Sequence, residues 1–332
     1  MKAIEYTEYG SPNVLRLNEV EIPSPKDNEV LVKIHAASAN PLDWHLMRAE
    51  PFLARFENGL SKPKNTKLGA DVAGRVEARG KNATQFQIGD AVFGAHYIKD
   101  LGAFAEYVCM PEHLLAKKPE NISFEAAAAV PIAAYTALQG LRDKGKIQSG
   151  QKVLINGASG GVGTFAVQIA KSIGAEVTGV CSSRNLDLVR SIGADHVIDY
   201  TKEDFTRTGQ QYDLIFDAVG NCSVADYKRA LRPNGICSVA GFTKLSLFFQ
   251  VFLMGSLVSA IGSQEIGFME TARPDHNDLL FLKELLESGK VVPVIDRAYS
   301  LSQVPEAIAY LEQGRARGKV VISVVGAEQA TS

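Results

Sequence analysis

The sequence predicts an α/β fold in which a doubly wound parallel sheet is joined to a second, β-rich domain. Three observations carry that prediction. Up to about Pro119 the chain reads as short strands punctuated by Gly- and Pro-containing turns. From about Phe124 helices alternate with short apolar strands, the rhythm of a parallel sheet covered on both faces. Between one such strand and its helix lies a turn with glycines at its first, fourth and seventh positions, Gly157, Gly160 and Gly163.

Length and composition agree with two cored domains. The chain has 332 residues, and a domain averages roughly 100–200. Its hydrophobic fraction of 46% and charged fraction of 22% are ordinary for a globular protein. With 35 basic against 37 acidic side chains the net charge is -2, too small a field to recruit nucleic acid or an anionic membrane. Cys109, Cys181, Cys222 and Cys237 form none of the close pairs of a zinc knuckle or disulfide scaffold and read as reduced, structural thiols.

The opening MKAIEYTEYGS is strand-like, without a basic start, apolar run or cleavage site, so a cytoplasmic protein is expected. Val30, Val32 and Ile34 alternate with Leu31, Lys33 and His35, a further strand pattern. Next comes an Ala-rich helix through AAAAVPIAAYTALQGL, then the strand VLIN, a helix, and the strand VTGV. After Ile261 an amphipathic helix, LLFLKELLESG, is flanked by the expected strands KVVPVI and KVVISVV, and the tail AEQATS is expected to fray. No internal repeat or low-complexity segment interrupts this order.

The strand Val153–Asn156 runs into Gly157-Ala158-Ser159-Gly160-Gly161-Val162-Gly163 and then a helix. Val162, Phe165, Ala166, Ile169, Ala170 and Ile173 fall at helical spacing, so one face of that helix packs on the sheet. Glycine allows a tight turn, a backbone close enough to touch pyrophosphate oxygens, and a helix seated tightly on its strand. The helix start then offers unpaired N–H groups and a partial positive charge to an anion. A glycine triplet alone also suits an ordinary strand-to-helix turn; the strand-loop-helix context points to a dinucleotide site.

The next strand, Glu176–Val180, ends at Cys181-Ser182-Ser183-Arg184, about 20 residues beyond the loop, where an NAD enzyme places an acid for the ribose hydroxyls. No carboxylate stands in that segment. Ser182 and Arg184 can instead donate to a 2′-phosphate, the alternative being a solvated turn with a surface arginine. Tyr200, after the strand His196–Asp199, either reaches the same phosphate or serves packing.

Taken together, GASGGVG, the upstream AVPIAAYTAL, the turn DAVGN and RGKVV near the C-terminus resemble the zinc-free, quinone-oxidoreductase-like branch of the medium-chain dehydrogenase/reductase superfamily. The resemblance covers nearly the whole chain. It implies a GroES-like substrate domain built from residues 1–122 and 264–332, a Rossmann NADP-binding domain over residues 123–263, the nicotinamide in the cleft, and a homodimer. It implies NADP(H) as cofactor, with Thr136 beside the nicotinamide ribose and Ser159, Gly160, Gly161 and Val162 at the pyrophosphate. Ser182, Arg184 and Tyr200 would surround the 2′-phosphate, and Val219 would flank the adenosine. Gly241 and Phe242 would approach the nicotinamide, with Arg317 and Lys319 closing on the cofactor.

Zinc-dependent relatives supply a Cys three residues before an Asp, a His in a GHE motif and a later Cys. The matching positions here are Asn40 in NPLD, Ala70 in GAD, and Ile132, none able to replace a thiolate or imidazole in a tetrahedral site. No metal is therefore expected, and simple alcohol dehydrogenation loses its Lewis acid. A quinone or α,β-unsaturated carbonyl needs less help, because the hydride's charge delocalises onto a distant oxygen. NADPH-driven reduction of a lipophilic conjugated carbonyl is the expected activity. Candidate catalytic groups are Asn40 and Asp43, at family motif positions, and His45, which with Tyr97 rests on expected proximity. For Asp43 the alternative is a buried carboxylate tying a turn, and for His45 a partly exposed helix histidine.

Between Lys244 and Glu265 no residue is charged. The run approaches the roughly 20 apolar residues of a membrane span, but Ser246, Gln250, Ser256 and Ser259 interrupt it and it joins two parts of the expected fold. Residues 245–262 are instead expected to line the substrate pocket, a dimer contact or a weak membrane-surface contact. A protein that binds NADPH without turnover is the rival functional class.

Overall fold

Short apolar runs between Gly and Pro turns fold, in the computed structural model, into seven strands: β1 (Lys2–Glu5), β2 (Arg16–Glu19), β3 (Glu29–Ala39), β4 (Asp71–Arg79), β5 (Ala91–Ala95), β6 (Tyr107–Pro111) and β7 (Leu115–Lys117). The structure describes residues 1–50, 52, 55 and 58–324. A short helix, α1 (Pro41–Arg48), follows β3. Val30, Val32 and Ile34 are fully buried, and Leu31 nearly so, because β3 pairs with β4 on one side and with β6 on the other. The Ala-rich segment, expected as one helix, forms two: α2 (Phe124–Ala128) and α3 (Pro131–Gln139). Pro131 disfavours helical backbone at Val130 and lacks the N–H to continue α2, yet suits the first turn of α3.

The alternating segment forms β8 (Lys152–Asn156), α4 (Gly161–Ile173), β9 (Glu176–Cys181), α5 (Leu186–Ser191), β10 (His196–Asp199), β11 (Tyr212–Asp217), α6 (Val224–Ala230), β12 (Leu231–Val239), α7 (Leu245–Gln250), α8 (Ser256–Ile261) and β13 (Glu265–Phe268). The strands are all parallel, in the order β10-β9-β8-β11-β12-β13. The chain starts in the middle at β8, winds to one edge, and returns through β11 to the other. Connections therefore diverge between β8 and β11, which opens a crevice at their carboxyl ends.

The last elements are α9 (His276–Glu287), β14 (Ile295–Ser300), α10 (Val304–Glu312) and β15 (Lys319–Ser323). KVVPVI was expected as a strand, but β14 begins only at its final isoleucine. Pro293 has no N–H for a ladder, and the Val292 N–H donates to Gln168 Oε1 at 2.8 Å. β15 pairs parallel to β14 and antiparallel to β3, giving a sheet of order β14-β15-β3-β4-β5-β7 with β6 on β3.

Packing divides the chain into a β-rich unit, Met1–Ile132 with Pro274–Glu287 and the described residues from Pro293 onward, and a parallel-sheet unit, Ala133–Arg273 with Ser288–Val292. The divisions fall about ten residues beyond those expected at 122 and 263. The reasons are local: α2 packs on β3 and β4, and β13 is hydrogen-bonded to β12. Ile34, Val72, Phe104 and Met110 centre one core, and Leu154, Ile215, Tyr227 and Leu231 the other. The tail AEQATS lies outside the described residues.

Candidate active site

In the parallel-sheet unit, Gly157 follows β8 with φ +81°, a backbone conformation that favours glycine. The Gly157 and Ala158 N–H groups donate to the Val180 carbonyl at 3.2 and 3.0 Å, turning the loop back onto β9. A Cβ on Gly163 would stand 2.0 Å from the Gly157 carbonyl oxygen, so α4 seats closer to the turn than any other residue allows. Gly160 caps α4 without a side chain. The first N–H groups of the helix, at Gly161, Val162 and Gly163, have no intrahelical acceptor, and the first turn carries no acid. This geometry suits a diphosphate.

Ser182, Arg184 and Tyr200 come together at the neighbouring strand ends. The Tyr200 N–H donates to the Cys181 carbonyl at 3.1 Å; Arg184 and Tyr200 are exposed and Ser182 half-buried. Two residues that sequence reasoning passed over complete this edge. Buried Asn185 donates to Ser159 Oγ at 2.9 Å and Ser182 Oγ at 3.3 Å, while its own Oδ1 has no partner among the described residues. Asp199, ending β10, accepts from the Ser183 hydroxyl and from Thr201 Oγ1 at 2.7 Å, which holds its carboxyl below the usual range. A carboxylate thus does reach this edge, from the adjacent strand rather than from β9.

The DAVGN turn is organised by buried Asp217. Its Oδ1 accepts from the Val219 N–H at 2.7 Å, the Gly220 N–H at 2.8 Å and Asn156 Nδ2 at 3.0 Å, and its Oδ2 from the Tyr227 hydroxyl at 2.7 Å. Val219 packs over Gly157, where an added Cβ would stand 2.7 Å from Val219 Cγ2. Gly220 has φ +66°, and a Cβ there would meet the Gly241 carbonyl oxygen at 1.9 Å, so the two turns run backbone to backbone. Phe242 follows, its ring 5.1 Å from that of Phe248 on α7. Thr136 is half-buried on α3.

The β-rich unit gathers Asn40, Ala70 and Ile132 around Asp71, which is fully buried. Asp71 Oδ2 accepts from Ser38 Oγ at 2.6 Å and Asn40 Nδ2 at 2.8 Å, and Oδ1 from the Ile132 N–H at 2.8 Å. Lys319, 3% exposed, places its ammonium 2.6 Å from Asn40 Oδ1 and 3.4 Å from Asp71 Oδ2. Its charge is therefore matched inside this unit by Asp71, with Asn40 rather than a nucleotide as its nearest partner. Asp43 is buried and accepts from the N–H groups of Asn40 and Gly69, each at 2.8 Å. Burial pushes its carboxyl up to about 7 against these two donors. With both oxygens occupied by backbone, Asp43 ties α1 to the strand entering β4.

His45 points elsewhere. Its Nδ1 donates to the Glu50 carbonyl at 2.6 Å, its ring stacks on Trp44, and burial lowers its pKa. Tyr97 packs half-buried against the core, and the Arg317 N–H donates to Asp296 Oδ2 at 3.0 Å with the residue exposed. Among the described residues no group of three or more His, Cys, Asp and Glu side chains is placed to hold a metal ion. Residues 245–261 form α7, a π-helical turn and α8, with Leu245, Phe249, Phe252, Leu253, Met254, Leu257 and Ile261 each 50–79% exposed. No described helix is long and apolar enough to cross a membrane.

Residues 26–120 match a family model described as alcohol dehydrogenase GroES-like domain, and residues 192–322 one described as zinc-binding dehydrogenase. The chain is 38% identical to a 2-methylene-furan-3-one reductase of Solanum lycopersicum, over 97% of this chain and 79% of that protein. It is 34% identical, over the same shares of 97% and 79%, to a chloroplastic NADPH-dependent alkenal/one oxidoreductase of Arabidopsis thaliana. The solved quinone oxidoreductase from Coxiella burnetii is similar with a TM-score of 0.85 at 30% identity, covering 98% of this chain and 99% of that one.

Proposed function

This chain belongs to the quinone-oxidoreductase-like branch of the medium-chain dehydrogenase/reductase superfamily and is an oxidoreductase of that family, and from that premise we propose that it transfers hydride from NADPH to a quinone or α,β-unsaturated carbonyl without zinc. The observation that carries the reading is the glycine-capped start of α4 with Ser182, Arg184 and Tyr200 gathered at the adjacent strand ends. Ser159, Gly160, Gly161 and Val162 would hold the diphosphate. The exposed guanidinium of Arg184 offers a 2′-phosphate a charge-assisted bond that NADH cannot use. Asn185 Oδ1, without a partner among the described residues, would accept from a nucleotide hydroxyl. Thr136, Val219, Gly241 and Phe242 would border the remainder.

When bound, the nicotinamide supplies the hydride. Asn40, Ala70 and Ile132 stand at the metal positions of zinc-dependent relatives, so the acceptor's own conjugation must carry the developing charge. Relatives named for a methylene-furanone and for alkenals or alkenones support this acceptor class. The proposal includes a lipophilic substrate, a cytoplasmic setting and a homodimer. The exposed apolar face of α7 and α8 would serve as pocket wall or dimer contact, read by sedimentation of the wild type beside Phe252→Ser.

The test follows NADPH absorbance with a panel of quinones and enones. Oxidation that survives chelators is the expected result. Tight NADPH binding without turnover of either class would make the chain a nucleotide-binding partner, and chelator-sensitive oxidation of simple alcohols would restore a zinc mechanism.

A further inference from the structure

β9 and β10 pair in parallel, and their last residues, Cys181 and Asp199, stand opposite one another. The Tyr200 N–H closes that pairing on the Cys181 carbonyl. Both strands therefore release their next residues at the same edge of the sheet. From β9 the chain enters a single 3₁₀ turn, Ser183–Asn185, with Ser182 ahead of it. One backbone bond crosses the turn, from the Asn185 N–H to the Ser182 carbonyl at 2.9 Å. So short a turn takes its orientation largely from what its side chains hold.

Those side chains tie it from two directions. Asn185 reaches back to Ser159 of the glycine loop at 2.9 Å. Ser183 reaches across to β10 and donates its hydroxyl to Asp199 Oδ2. Asp199 is itself fixed, because its Oδ1 accepts from the Thr201 N–H at 3.0 Å and from Thr201 Oγ1 at 2.7 Å, and its side chain is only 10% exposed. Arg184 stands between the two tied residues, with its own side chain exposed. A carboxylate at this edge repels an anionic ligand, and a neutral acceptor would avoid that cost. What the charge adds is a stronger bond to the Ser183 hydroxyl than a neutral oxygen makes.

We propose that Asp199 is the positioning residue for the preference for NADPH over NADH: by gripping Ser183 it sets the turn so that the Arg184 guanidinium meets the 2′-phosphate. The inference rests on the phosphate site argued above and deepens it. Asp199 acts through Ser183 and Arg184, so its loss is felt by the nucleotide that carries the phosphate and not by the one that lacks it.

The test is calorimetry of NADPH and of NADH on the wild type, Asp199→Ala, Asp199→Asn, Arg184→Ala and the Asp199→Ala/Arg184→Ala double variant. Asp199→Ala should raise the Kd of NADPH by about tenfold and leave that of NADH within about twofold, which also shows that the variant is folded. Asp199→Asn keeps an oxygen for the Ser183 hydroxyl and should recover most of the loss. Once Arg184 is alanine, adding Asp199→Ala should change the Kd of NADPH by less than about twofold, because nothing remains to be positioned. Unchanged or tighter NADPH binding in Asp199→Ala, equal losses for both nucleotides, or full additivity in the double variant would each overturn the assignment. A wild type that binds NADPH no more tightly than NADH would instead remove the phosphate site, and the role of Asp199 with it.

Discussion

Asp217 closes β11 and Asp71 opens β4; both are fully buried, and their partners come from different distances along the chain. Asp217 is held by Val219, Gly220 and Tyr227, which are 2, 3 and 10 residues away, with only Asn156 reaching it from another strand. Asp71 draws on Asn40, Ser38, Ile132 and Lys319, at separations of 31, 33, 61 and 248. The first centre shapes a turn with neutral donors, two from backbone and two from side chains. The second joins both ends of the chain through one ion pair. Damage to the second should therefore be global, and damage to the first local.

The largest effect is expected at Lys319. Lys319→Met removes the only cation beside buried Asp71 among the described residues and should destabilise the fold by about 3–5 kcal/mol, read from urea denaturation. A loss below about 1 kcal/mol would erase the contrast between the two centres.

His96 gives a pH signature in the same unit. Its folded pKa of about 4 lies below the ordinary 6.5, so the unfolded chain binds the proton more readily. Its contribution to stability is complete above pH 6.5 and disappears as the pH falls toward 4, by up to about 3 kcal/mol. His96→Leu should flatten this window, and an unchanged acid profile would contradict the burial of the ring.

In the parallel-sheet unit the effects are smaller and local. Arg184→Ala should weaken NADPH binding by about 1.5–3 kcal/mol in calorimetry and leave NADH binding nearly unchanged; equal losses would move the phosphate site away from this edge. Asp217→Asn keeps an oxygen for the turn's N–H groups and lets the Tyr227 hydroxyl turn to accept. A cost of about 1 kcal/mol is expected, and a cost matching that of Lys319→Met would sharpen Asp217 into a global element.

The same difference governs what could be read from sequence. GASGGVG, the strand VLIN and the α4 residues are consecutive, and the structure forms strand, turn and helix where the spacing implied, although residues 163–170 are buried all round rather than along one stripe and Val162 and Ile173 are only half-buried. The Ala-rich helix broke at Pro131 and KVVPVI yielded a strand only at Ile295 because one proline outweighed the apolar pattern in each case. Asp199 escaped notice because it arrives at the Ser182–Arg184 edge from the next strand. Lys319 was legible as part of RGKVV, yet its burial against Asn40 depends on β15 pairing with β3. His96 has no local signal: FGAHY reads as strand and turn, and only the folded chain shows the imidazole to be buried without a partner among the described residues.

Hydride transfer itself is tested most directly with NADPH deuterated at its transferable position and methyl vinyl ketone as acceptor, in enzyme treated with a chelator. The expected product is butanone carrying the deuterium on the carbon β to its carbonyl, one atom for each NADPH consumed. Butanone unlabelled at that carbon, or NADPH that binds while no butanone forms, would contradict a metal-free hydride transfer to a conjugated carbonyl.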